Sequence, residues 1–468
     1  MSRRLLLAAT ALLLPAQLAA QSFPPAPAIA PVKPFAIPAT ETYTLANGMQ
    51  VTLIPWGVAP KTYVVLNVFA GNLNEDGQTW LADLTAAMLK EGAGGRSSAE
   101  LARAAASLGG DIATGSDEAS TTISTDVLSE NAAAAVTLVG DVALRPALPA
   151  AEFARVQANL GRRLAQAYAQ PGVIADYALA RAYYGDHPYG RVLPTPAAFS
   201  AYTLADVQRF YRSQFGAKRA HLYIAGRFDA AAVKAAVEKS FGGWAAGPER
   251  LSLPPRPRPG PRVLLIDRPG APQSTLRLAF AGPAPGAPGD IPFRTANSLL
   301  GGAFNSRITT NLRETKGYTY SPFSAITLHP GESRWTFNGD VTTAVTGPAL
   351  TEIFSEVRRL ADTPPNTAEW EGTRTYRVGV FTLGLSTAPG LIGLLSTVED
   401  LGLPADWPNR YVPAVMAVTP AQFSGAIKEN LPLDRMTLVV VGDLKTVTPQ
   451  LQALPELKGA TFQTVTVP

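Results

Sequence analysis

The sequence predicts an α+β fold of two homologous domains, each a mainly antiparallel sheet covered by helices. Three observations lead there. Helical and strand-like segments are intermixed without a regular βαβ rhythm. A Pro-rich stretch, residues 246–261 (AAGPERLSLPPRPRPG), divides the 468-residue chain near its middle, and repeated Pro forbids both helix and central strand. The two sides then carry the same landmarks in the same order. Val64-Val65-Leu66-Asn67-Val68-Phe69-Ala70-Gly71 is matched by Leu276-Arg277-Leu278-Ala279-Phe280-Ala281-Gly282, and Leu222-Tyr223-Ile224-Ala225-Gly226 by Leu438-Val439-Val440-Val441-Gly442. The first and last Gly of each set lie 155 and 160 residues apart, which points to duplication of one domain.

Composition sets the outer bounds. Hydrophobic residues make up 46% of the chain, enough for large buried cores and too many for a disordered one. The opening MSRRLLLAATALLLPAQLAAQ has a basic start at Arg3 and Arg4, an apolar run from Leu5 to Leu14, and small residues at Ala19 and Ala20. It reads as a secretory signal over 1–20, too short to span a bilayer comfortably, and the expected location is periplasmic. Loss of its two arginines takes the net charge from +4 to near +2, too little to imply nucleic acid or an anionic membrane. With no cysteine, the chain has no disulfide, no thiolate metal site and no cysteine nucleophile.

Residues 21–38 form a Pro-rich, extended lead-in. A first domain is expected over 39–245 and a second over 262–468, with 246–261 as the linker. In the first, residues 78–92 (QTWLADLTAAMLKEG) space Trp80, Leu81, Leu84, Met88 and Leu89 three and four apart, the pattern of an amphipathic helix stopped by Gly92. Residues 97–108 begin with a Ser cap and end before Gly109-Gly110; 150–169 form a long Ala- and Leu-rich helix; 203–213 begin at a Thr cap. Residues 119–127 (ASTTISTDV) alternate and are β-branched, hence strand-like.

The order of several segments resembles the pitrilysin/insulinase family of zinc peptidases, which includes the mitochondrial processing peptidases. They are Leu45-Ala46-Asn47-Gly48-Met49-Gln50-Val51, Ala70-Gly71 with Glu75 soon after, the 78–92 helix, Leu108-Gly109-Gly110, His187-Pro188-Tyr189-Gly190 and Phe210-Tyr211. The resemblance implies a metalloprotease-like duplicated sandwich. In active members the helix carries His-x-x-Glu-His, two zinc ligands on one face with a Glu that polarises water. The matching positions here are Asp83, Ala86 and Ala87, and Ala has no donor atom. The family's third ligand, a Glu, falls near Arg162–Leu164, and no Asp or Glu occurs between Glu152 and Asp176. No metal or other cofactor is therefore expected in this chain. The three histidines are far apart. His187 is read as part of a structural turn, His221 as preceding a buried strand and ordering a backbone carbonyl, and His329 as lying in a turn beside Pro330-Gly331. No Gly-x-Ser-x-Gly elbow or phosphate-binding Gly loop is present.

The second half retains a signature. Leu299-Leu300-Gly301-Gly302-Ala303-Phe304-Asn305-Ser306-Arg307-Ile308 continues through Asn311-Leu312-Arg313-Glu314-Thr315-Lys316-Gly317-Tyr318-Thr319-Tyr320-Ser321. It resembles the family's LGGGxxSRL…LRExxGxxYS. By that resemblance Arg313 and Tyr320 are the substrate-binding pair, a donor fork and a hydroxyl that hold a peptide backbone and its developing oxyanion. From residue type alone, Arg313 paired with a nearby carboxylate and Tyr320 as an ordinary strand aromatic remain the alternatives. Gly301 and Gly302 permit a close backbone approach or a tight turn. Some family members split the work between two homologous chains, one with His-x-x-Glu-His and one with the Arg/Tyr pair. The resemblance thus implies the non-metal-binding subunit of a heterodimeric zinc metalloendopeptidase acting on unfolded peptides, inactive alone, with zinc in its partner. An inactive peptide-binding or scaffold protein is the alternative.

Overall fold

The computed structural model describes residues 35–258, 260 and 262–467. The expected signal at 1–20 and most of the lead-in lie outside these residues. The first half runs β1 (Glu41–Thr44), β2 (Gln50–Pro55), β3 (Lys61–Val68), α1 (Leu81–Leu89), α2 (Ser98–Ser107), β4 (Ile112–Ser116), β5 (Thr121–Leu128), α3 (Ala132–Leu144), α4 (Ala150–Ala169), α5 (Pro171–Tyr184), α6 (Leu204–Gln214), β6 (Ala220–Gly226) and α7 (Ala230–Phe241). The second runs β7 (Arg262–Asp267), β8 (Gln273–Gly282), α8 (Asp290–Asn297), β9 (Phe323–His329), β10 (Glu332–Thr342), α9 (Thr346–Asp362), α10 (Thr367–Gly384), α11 (Ala388–Asp400), α12 (Trp407–Ala417), α13 (Pro420–Asn430), β11 (Thr437–Gly442), α14 (Leu444–Gln452) and β12 (Thr461–Thr464).

Local chemistry places these ends. Ser97 with Glu100 and Thr203 with Asp206 form reciprocal capping boxes that start α2 and α6. α1 is shorter than its apolar spacing suggests. Trp80 sits before it in a left-handed conformation, φ 70°, so only Leu81–Leu89 are helical.

Each half builds a six-stranded sheet, in the order β1-β2-β6-β3-β5-β4 and β9-β10-β8-β11-β7-β12. The inner orders β2-β6-β3-β5 and β7-β11-β8-β10 are equivalent, each with one parallel pair among antiparallel ones. One outer edge is also equivalent, the antiparallel hairpins β5-β4 and β10-β9, and the other differs. β1 is a hairpin partner of β2 from the start of the chain, whereas β12 comes from the end and runs parallel to β7. Leu438–Gly442 is a central strand, and β12 follows it in the chain at the sheet edge.

The runs at 222–226 and 438–442 are apolar at every position because both sheet faces are covered. On one face Leu222 and Ile224 join the core of the first half, and Leu438 and Val440 that of the second. The other face is covered by a helix from the opposite half. α5 lays Ile174, Ala175, Ala178 and Leu179 on Leu264, Ile266, Val439 and Val441, while α11 lays Ala388, Leu391 and Ile392 on Ile54, Tyr223 and Ala225. At about 2 kcal/mol per large buried apolar side chain, this exchange locks the halves together.

The Pro-rich connection carries no helix or strand over 246–258, yet it is tied down. The Leu253 carbonyl accepts from His187 Nε2 at 3.1 Å, Arg250 pairs with Asp400 at 2.6 Å, and the Arg258 amide donates to the Tyr183 carbonyl at 2.7 Å. Among the described residues no single helix is long and apolar enough to cross a membrane. α10 and α11 pass together by composition but are bent by 108°, and the apolar face of α11 is spent on the first sheet.

Candidate functional site

α1 buries Leu81, Ala82, Leu84, Thr85, Ala86, Met88 and Leu89, leaving Asp83 and Ala87, four residues apart, on its one partly open face. Glu75 holds the start of the helix, its Oε1 accepting from the Ala82 amide at 2.8 Å. The Asn72 amide bridges two carboxylates, donating to Glu75 Oε1 at 2.8 Å and to Asp83 Oδ2 at 3.0 Å. Burial pushes the Glu75 carboxyl up to about 8 in spite of those bonds. Burial also raises Asp83, opposed by Asn72 and by the charge of Arg163.

The side chains at this face do not fit zinc. Ala86 and Ala87 offer nothing to a metal, Asp83 is already bonded to Asn72, and the neighbouring Glu75 is buried and spent on the Ala82 amide and Asn72. On α4, in the window of the expected third ligand, stands the guanidinium of Arg163, 5.7 Å from the Trp80 ring. A fixed cation there repels a second one. Among the described residues no cluster of three or more His, Cys, Asp or Glu side chains is arranged to hold a metal ion.

The structure brings Arg313 and Tyr320 together in the second half. Residues 310–315 form a wide helical turn, with the Lys316 amide donating to the Asn311 carbonyl and the Tyr318 amide to the Leu312 carbonyl, both at 2.9 Å. Gly317, at φ +64°, then reverses the chain. The Arg313 guanidinium lies between two exposed rings, 4.9 Å from Phe304 and 4.7 Å from Tyr320, and Nε is 3.2 Å from Glu314. Tyr320 is not a strand aromatic. It precedes β9 and is 77% exposed. No hydrogen bond or ion pair among the described residues joins this pair to α1.

Side chains remote in sequence brace that turn. Buried Arg307 forks onto Glu369, Nε to Oε1 at 2.9 Å and Nη2 to Oε2 at 2.8 Å. Asn311 donates to Glu352 and Glu356, and Lys316 pairs with Glu352 at 2.7 Å. Gly301 serves the close approach expected of it, since a Cβ there would meet Ser324 Oγ at 2.5 Å. Glu352, Glu356 and Glu369 were invisible to sequence reasoning because nothing local links them to the signature.

Between the halves lies a cavity of about 360 Å³, lined by Glu118, Asp176, Tyr184, Tyr189, His329 and Phe323 among others. A smaller one of about 100 Å³ shares Glu118, Tyr189 and Val192 and reaches Asn72, which holds Asp83. The two cavities are neighbours, one bordered by Asn72 and the other by β9, the strand that follows Tyr320.

Two of the histidine readings are corrected here. His329 ends β9 and is buried, its Nε2 3.0 Å from Glu118 and Nδ1 2.7 Å from Glu332, with the Tyr189 ring stacked on it at 3.9 Å. Tyr184 also donates to Glu332, at 2.7 Å. Burial opposes charging of His329, but the two carboxylates outweigh it and raise its pKa. The signal was present: Pro330-Gly331 is a two-residue hairpin turn, which makes His329 and Glu332 cross-strand neighbours. His221 lies within β6 and bonds side chains, not a carbonyl. Its Nδ1 is 2.6 Å from Glu399 and Nε2 is 2.8 Å from Thr52 Oγ1. His187 is structural as expected, Nδ1 accepting from the Tyr189 amide at 3.2 Å.

Residues 55–197 match the family description "Insulinase (Peptidase family M16)", and residues 201–376 match "Peptidase M16 inactive domain". An uncharacterized zinc protease of Mycobacterium bovis is 29% identical over 274 residues, 57% of this chain and 60% of that protein. The match thus spans about three fifths of the length of that relative. A solved M16 inactive domain from Pseudomonas fluorescens superposes with a TM-score of 0.78 at 23% identity, covering 86% of this chain and 98% of that one. A protease from Helicobacter pylori does so at 0.79 and 17%, covering 87% and 100%. At these identities the structural likeness speaks for the fold.

Proposed function

The chain belongs to the M16 (insulinase) peptidase family, and we propose that within it this protein is a substrate-binding subunit that carries no metal of its own. One observation carries the reading. The open face of α1 presents Asp83 and Ala87 beside Arg163, while half-buried Arg313 and exposed Tyr320 stand together on the second half. A zinc-bearing homologue with His-x-x-Glu-His would supply the metal, and the two chains would act on unfolded peptides as a heterodimeric endopeptidase. Residues 39–245 and 262–468 are its two domains in this reading, and removal of 1–20 delivers it to the periplasm.

The test is reconstitution with such a homologue, following chelator-sensitive cleavage of an unfolded peptide. Arg313→Ala is expected to lower kcat/KM about 100-fold or more, the scale of losing one oxyanion donor, and to leave the fold intact. A full rate in Arg313→Ala would refute the role given to the pair.

A second reading, an inactive peptide-binding or scaffold protein, is favoured by the contacts Arg313 already makes with Glu314, Phe304 and Tyr320. Recovery of the chain alone, with no homologue and no peptidase activity, would support it.

A further inference from the structure

The odd-numbered residues of β9 line the cavity between the halves, and the even-numbered ones line a different cavity of about 270 Å³, with Ala325 bordering both. Ser324, Ile326 and Leu328 form one wall of it, Arg294 and Asn297 of α8 another, and Arg377 of α10 a third. Neither Arg313 nor Tyr320 lines it.

Its two guanidinium groups are donors only, and its serine hydroxyls already donate within the protein, Ser298 to the Arg294 carbonyl and Ser324 to Asn297. Arg294 shares its charge with Asp290, Nε to Oδ1 at 3.1 Å, but its Nη2 has no hydrogen-bond partner. Arg377 has no carboxylate within ion-pair distance among the described residues. Its Nη2 donates to the Tyr411 hydroxyl, and its Nε is buried without a partner. Residues 1–34 contain no Asp or Glu, so that segment supplies no carboxylate side chain. Asn297 is oriented by its acceptor. Oδ1 takes bonds from Ser324 Oγ and Trp335 Nε1, both at 2.5 Å, which leaves Nδ2 as a donor beside Gly302. The guanidiniums are also set in place. Arg294 lies 5.3 Å from the Trp407 ring and 5.7 Å from Tyr411, to which Arg377 is bonded. Among the described residues Arg294 and Arg377 are the only ionisable side chains lining the cavity, and one of the two lacks a counter-charge there.

A preset group of guanidinium and amide donors with a missing acceptor has the chemistry of an oxyanion site. We propose that this cavity binds a carboxylate or phosphate group, with Arg377 as the main anchor and Arg294 and Asn297 as supporting donors. The site is independent of the role assigned to Arg313 and Tyr320.

The source of the oxyanion is settled by the choice of probe. Calorimetry on the full chain would use inorganic phosphate, an acetylated peptide with a free C-terminal carboxylate, and the same peptide as its amide. At least one of the first two should bind, at least 10-fold more weakly to Arg377→Met and with intermediate affinity to Arg377→Lys. Preference for the acid peptide over its amide assigns the site to chain termini, and binding of phosphate alone assigns it to a free anion. As a check that needs no variant, the bound probe should protect Arg294 and Arg377 from phenylglyoxal, read by peptide mass spectrometry. Equal affinity in wild type and Arg377→Met, or no binding and no protection with either probe, would overturn the proposal.

Discussion

Glu399→Gln tests whether the two halves are held by the polar contacts at the end of α11. Glu399 Oε2 accepts from His221 Nδ1 and from the Tyr223 hydroxyl, each at 2.6 Å, and Arg250 lies 3.6 Å from Oε1. A bond to a charged acceptor contributes about 1.5–3 kcal/mol and a neutral one about 0.5–1.5, so neutralising the carboxylate removes about 1 kcal/mol from each of two bonds. The longer, partly exposed Arg250 contact adds a few tenths at most, and the expected loss is about 2 kcal/mol. Burial raises the Glu399 pKa, but His221, Tyr223 and Arg250 together bring it below the usual carboxylate value. A depressed acid contributes stability that is present above the unfolded pKa and lost as pH falls through the folded one. The penalty of Glu399→Gln should therefore be full at pH 7 and shrink below about pH 4. Urea titration followed by tryptophan fluorescence at both pH values measures it. A variant within 0.5 kcal/mol of wild type at pH 7, or a penalty that grows as pH falls, would refute the reasoning.

His329→Phe should cost about 3 kcal/mol at pH 6 by leaving buried Glu332 without its cation. Because the His329 pKa is raised, that contribution is present below about pH 6.5 and fades as pH rises through the folded value, so the urea-stability gap should narrow toward pH 9. Glu75 is an acid whose folded pKa is raised, so its contribution runs the other way from Glu399 and wild type loses stability as pH climbs toward about 8. Glu75→Gln should match wild type at pH 4 and exceed it at pH 9, in the same titration. Gly110→Ala would place a Cβ 1.7 Å from the Asp126 carbonyl oxygen, and loss of about 3 kcal/mol or of soluble protein is expected. Gly161→Ala, in α4 with nothing within 4 Å, should instead raise thermal stability by about 0.5–1 kcal/mol.

Much of this was legible because it is local. The caps of α2 and α6 lie within four residues of the helices they start, and α4 spans the segment its composition marked. Asp83, Ala86 and Ala87 could be assigned to one helix from spacing alone, and the Gly317 turn that returns Tyr320 to Arg313 is written in the signature. The length of α1 was misjudged because Trp80 fits the apolar period but adopts a left-handed conformation. The role of His221 was not legible because its partner Glu399 is 178 residues away; for His329 the partner Glu332 was legible across the hairpin turn, and only Glu118, 211 residues away, was not.

The sequence by itself determined the two-sheet α+β architecture, the repeated strand order and the absence of zinc-binding side chains on α1. Each of these follows from residue type and short-range periodicity. Only the tertiary structure decided that α5 covers the second sheet and α11 the first. An all-apolar strand announces that both its faces are buried, but any amphipathic helix satisfies that demand. Which helix does so is settled by long-range packing and by the polar side chains at each helix end, Tyr184 with His329 and Glu332 on one side and Glu399 with His221 and Tyr223 on the other.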